Sequence, residues 1–76
     1  MTERSILTGK QAKRIVRHIE NHIKKYVKDS QIELTDRDLE DYLERLKKVV
    51  QTTNSSEMQR KAAWVYELVE KIQFIR

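Results

Sequence analysis

The sequence predicts an all-α fold, a small three-helix bundle, and three observations carry that prediction. The chain of 76 residues has no proline and a single glycine, which excludes a turn-rich β fold and suits long helices. Three segments repeat apolar residues with helical periodicity. Each is preceded by Ser, Thr or Asn with an acceptor side chain three residues on, the mark of a capping box. The helices are predicted at about 9–28, 36–51 and 55–74, in one domain covering 8–76 behind a flexible arm of residues 1–7.

Helix 1 opens with Thr8 as N-cap and Gln11 closing the box, with Leu7 and Ala12 placed as a weak hydrophobic staple. Ala12, Ile15, Val16, Ile19, His22, Ile23, Tyr26 and Val27 fall on one side. Lys10, Lys13, Arg14, Arg17, Lys24, Lys25 and Lys28 fall within about 120° on the other, with Glu20 at the edge. Helix 2 is capped by Thr35 with Asp38, and Leu34 and Leu39 form its staple. Leu39, Tyr42, Leu43, Leu46, Val49 and Val50 make its apolar stripe. Its acids come early and its bases late, an order that suits the helix dipole. Helix 3 is predicted to be capped by Asn54, with Glu57 closing a third box. Met58, Ala62, Trp64, Val65, Tyr66, Leu68, Val69, Ile72 and Ile75 cover roughly 200° of its circumference, wider than an ordinary surface helix presents. Such a helix needs two neighbours, or one neighbour and a partner chain.

Composition narrows the function. Without cysteine there is neither a disulfide framework nor a thiolate zinc site. No apolar run is long enough to serve as a membrane span or leader, so the expected location is cytoplasmic, with no membrane partner. His18 and His22 stand one turn apart but lack a third ligand, so no metal site and no cofactor is expected. The Ser and Thr residues sit at caps and there is no glycine-rich phosphate loop, which points away from an enzyme.

Charge supplies the positive signal. Residues 1–29 carry eight Lys/Arg against three Asp/Glu, while residues 30–53 carry four against six. A cationic row about 25 Å long on helix 1 can neutralise several phosphates and release their counterions. Arg60 and Lys61 add two cations at the start of helix 3, where the helix dipole also favours phosphate.

The segments Leu7-Thr8-Gly9-Lys10-Gln11, Glu33-Leu34-Thr35-Asp36-Arg37-Asp38-Leu39-Glu40-Asp41-Tyr42-Leu43-Glu44-Arg45-Leu46 and Gln59-Arg60-Lys61-Ala62-Ala63-Trp64-Val65-Tyr66-Glu67-Leu68-Val69 carry a resemblance. Over residues 7–73 the chain is similar to the N-terminal core-binding (SAM-like) domain of tyrosine recombinases and phage integrases. It departs from that pattern in lacking the family's first helix. Glu57 stands where a Thr is usual, and the catalytic domain with its Arg, His and Tyr residues does not occur in these 76 residues. The resemblance therefore implies DNA binding without strand cleavage, with Lys10, Lys13, Arg14, Arg17, Gln59 and Arg60 as contact positions. The expectation is a non-catalytic module that binds duplex DNA rather than RNA, a regulator or accessory factor of a mobile element. Its phosphate contacts would come from the basic face of helix 1, including Lys24, Lys25 and Lys28, and from the start of helix 3. The alternative is a protein-interaction module that uses Trp64, Leu68 and Ile75 to meet a second copy or a larger partner.

Overall fold

A computed structural model describes residues 7–75. It contains α1 (Gly9–Lys28), α2 (Asp36–Thr52) and α3 (Ser56–Ile75). Residues 1–6 of the predicted arm lie outside the described residues. Leu7, its last member, is held in place. The Leu7 amide donates to the Thr52 carbonyl (3.2 Å), and the Asn54 amide donates to the Leu7 carbonyl (3.3 Å). Together these make a one-residue parallel bridge between Leu7 and Thr53.

Two caps form as their residues dictate. Thr8 Oγ accepts from the Gln11 amide while Gln11 Oε1 accepts from the Thr8 amide, both at 3.2 Å. Thr35 and Asp38 do the same for α2, at 3.0 and 3.2 Å. Each box satisfies two amides that the helix itself leaves without acceptors. The third cap differs from prediction. Ser55, not Asn54, caps α3, its Oγ accepting from the Met58 amide (3.3 Å). The Asn54 amide, which Glu57 would accept from in the predicted box, donates instead to the Leu7 carbonyl, and the helix starts one residue later. Glu57 then stands at the second helical position, where it cannot close a box.

The bridge ties the head of α1 to the tail of α2, and His22 near the tail of α1 reaches Glu33 and Tyr42 at the head of α2. Thus α2 runs antiparallel to both neighbours, and α1 and α3 run parallel. The α2–α3 pair has the more extensive packing, and α1 lies across its open side. Ile19, Leu39, Leu46, Val16, Val49, Val65 and Val69 are the largest fully enclosed side chains. The Leu34–Leu39 staple is buried, and Leu7 packs on the core from its edge.

Two predicted inner faces are wider than the cover available. On α1, Val27 is 71% exposed on the bank of a groove shared with the end of α3, while Ile15 and Tyr26 are half-buried. On α3, Ala62, Val65, Val69 and Ile72 are buried, but Trp64 and Ile75 are exposed and Leu68 is half-buried. Two neighbours cover the middle of the α3 arc and leave one flank open.

Leu46 is fully enclosed, so Leu46→Ala should cost ~2–5 kcal/mol in urea unfolding; a loss below ~1 would mean that the α2 stripe does not form the core. Gly9 has no positive φ, and an added Cβ would sit 3.5 Å from Ser55 Cβ, an ordinary contact. Gly9→Ala should therefore stabilise the chain by ~0.4–1 kcal/mol through the unfolded state, seen as a raised Tm.

Candidate nucleic-acid interface

The seam between α1 and α3 positions the charged residues. It has two openings with Glu20 between them. At the N-terminal end a pocket of about 200 Å³ is bordered by Lys13 and Arg17 of α1 and by Glu57, Met58 and Lys61 of α3. At the C-terminal end a larger groove runs between Ile23 and Val27 of α1 and Leu68, Ile72 and Ile75 of α3.

Among the described residues Glu20 is the charged one that is buried, with 8% of its surface exposed. A carboxylate cannot leave water without compensation. Two ammonium groups supply it, Lys24 from the next turn of α1 and Lys61 from α3, each at 3.4 Å. Lys61 also stands over the Trp64 ring, 5.9 Å from its centroid, a cation–π contact. Periodicity placed Glu20 only at the edge of the basic face; its second partner comes from another helix.

All seven cations on the outer side of α1 are exposed. Lys10, Lys13, Arg14 and Arg17 form one group, and Lys24, Lys25 and Lys28 form another about two turns further on. Of the seven, Lys24 alone forms an ion pair among the described residues. The ion pairs found among the described residues do not join an α2 carboxylate to a cation of α1. Helix packing also brings the start of α3 to this side. Arg60, Lys61 and Trp64 border a shallow depression with Ser56 and Glu57. The basic groups of α1 and α3 therefore adjoin, with the Glu57 carboxylate between them.

Gln59 does not join them. Its Nε2 donates to the Val50 carbonyl (3.1 Å), so it faces α2 and closes the end of that helix. Trp64, Leu68 and Ile75 lie on one flank of α3 but line different features: Leu68 and Ile75 the C-terminal groove, Trp64 the depression beside Arg60.

The histidines are engaged with α2. The His22 Nε2–H donates to the Glu33 carbonyl (2.8 Å), since a carbonyl can only accept. In the neutral ring this leaves Nδ1 to accept from the Tyr42 hydroxyl at 2.6 Å. His18, exposed, meets the Tyr42 ring edge-on at 6.3 Å. No group of three or more His, Asp or Glu side chains suited to a metal occurs among the described residues. No helix among them is long and apolar enough to cross a membrane. Neither a family profile, a curated protein nor a solved structure matches this chain.

Burial raises the Tyr42 phenol above its ordinary value, and the nearby Asp38 and Asp41 charges add to this while Arg45 opposes it. The unfolded phenol ionises near pH ~10, so between there and its folded value the native state holds the extra proton. Tyr42 thus contributes stability that is complete below pH ~10 and is lost as pH rises through the folded value. In urea titrations at rising alkaline pH, Tyr42→Phe should flatten this decline relative to the parent; an equal slope in both proteins would refute it. At neutral pH the variant should cost ~1 kcal/mol for the lost bond to His22.

Proposed function

We propose that this chain is a small non-catalytic module that binds duplex DNA, a regulator or accessory factor of a mobile element. The observation that carries the reading is the outer side of α1, where Lys10, Lys13, Arg14, Arg17, Lys25 and Lys28 are exposed without a carboxylate partner among the described residues. The contacts are mainly to phosphate. Arg60 extends the surface across the start of α3, and Trp64 beside it supplies an apolar contact area. Gln59, turned toward α2, takes no part. The similarity of residues 7–73 to recombinase core-binding domains points to the same helices.

Geometry favours DNA over RNA. The major groove of B-form DNA is about 12 Å wide and admits a helix, while the deep, narrow major groove of A-form RNA does not. Glu57, standing between the two basic groups, opposes phosphate and makes Lys13, Arg14 and Arg17 the centre of the surface rather than α3.

Binding should fall steeply between ~50 and ~200 mM salt, the logarithm of affinity dropping by about 0.9 per decade of salt for each phosphate neutralised. Arg14→Gln with Arg17→Gln should weaken binding to all duplexes alike and reduce that slope by about 2. Anisotropy of a labelled duplex measures both. No binding at low salt, or an unchanged slope in the double variant, would overturn the proposal.

A further inference from the structure

The C-terminal groove of the α1–α3 seam has a chemistry of its own. Its floor and banks are Ile23, Val27, Leu68, Ile72 and Ile75. Ile23 and Ile72 belong to the core, whereas Val27 on one bank and Ile75 on the other are 71% and 78% exposed. The open volume is about 560 Å³. Around it stand Lys24, Lys25 and Lys28 on the α1 side and Lys71 on the α3 side, and among the described residues no carboxylate lines it. Lys24 is engaged by Glu20; the other three have no carboxylate partner among the described residues.

We propose that this groove docks an acidic amphipathic helix of a protein partner. The occupant's form follows from the walls. Two parallel helices bound a trough about two turns long, between Ile23 and Lys28 on one side and Leu68 and Ile75 on the other. A third helix laid along it would set apolar side chains at i, i+3, i+4 and i+7 onto that floor. The occupant's charge follows from the rim. Lysines stand on both banks, so a complementary helix carries Asp or Glu on both flanks of its apolar stripe. A second copy docking groove to groove would set lysines against lysines across a two-fold axis, which like-charge repulsion opposes. An acyl chain calls for an enclosed slot, and this trough is open along its length.

The test uses the whole chain and a labelled peptide of about 18 residues, Leu at helical spacing and Glu elsewhere, with a scrambled peptide of equal composition as control. The helical peptide should bind with Kd on the order of 10 µM, and the scrambled one at least about tenfold more weakly. Val27→Ser with Ile75→Ser leaves every charge and the buried core in place, and should weaken binding about tenfold or more. Circular dichroism checks that the helices persist. The proposal fails if no binding is seen at about 500 µM peptide, or if the scrambled peptide or the double variant binds as well. It fails also if phosphatidylglycerol vesicles, and not the peptide, bind in a manner lost in the variant. A concentration-dependent mass abolished by the same substitutions, without peptide binding, would assign the groove to self-association instead. The groove shares Lys25 and Lys28 with the proposed DNA surface, but the variants separate the two readings: Val27→Ser with Ile75→Ser leaves every cation of α1 in place for DNA, and Arg14→Gln with Arg17→Gln leaves the groove residues unchanged. Each can fail without the other.

Discussion

The arrangement of this molecule turns on the carboxylate of Glu20. It is buried at the seam of two helices, and a charge in that position is tolerable only if cations meet it. Lys24 and Lys61 do so, from α1 and α3 respectively. The pairing and the burial of Val16, Ile19 and Ile23 favour the same rotation of α1 against α3. Once that rotation is set, the rest of the α1 face follows. Val16, Ile19 and Ile23 point inward, and the lysines and arginines have nowhere to go but solvent. Glu20 also divides the seam, leaving a charged pocket toward one end and an apolar groove toward the other.

Much of the fold was legible because local signals agreed with one another. The boxes at Thr8–Gln11 and Thr35–Asp38, the staple at Leu34–Leu39 and the stripe from Leu39 to Val49 all sit within a few residues of chain, and the folded structure keeps them. The third cap was misplaced because its position depends on a partner far away. Asn54 reads as a good N-cap until Leu7, more than forty residues earlier, claims its amide. Exposure at Val27 and Ile75 has a similar cause. Periodicity states which way a side chain points, but not whether a neighbouring helix extends far enough to cover it.

The candidate surface was legible in outline and not in membership. The clustering of cations on α1 is a property of one helix and could be read from spacing alone. The pairing of Lys61 with Glu20 and the turning of Gln59 toward Val50 arise between helices. So does the division of the cationic row into a group beside Arg60 and a group around an apolar trough. One stripe in sequence thus becomes two surfaces of different chemistry, one lined by Lys13, Arg17, Glu57 and Lys61 and one that sets lysines around an apolar floor.

The clasp between Leu7 and the α2–α3 connection has a consequence for how the molecule opens. The α2–α3 hairpin holds most of the helix-to-helix packing, whereas α1 adds Ala12, Val16, Ile19 and Ile23 to the core and is tied at its head by two backbone bonds, at its middle by Glu20 and near its tail by His22. Undocking of α1 would give up the smaller share of the helix-to-helix packing, but it would bring Ala12, Val16, Ile19 and Ile23 into water. Whatever binds the outer side of α1 without demanding its release would act as a splint.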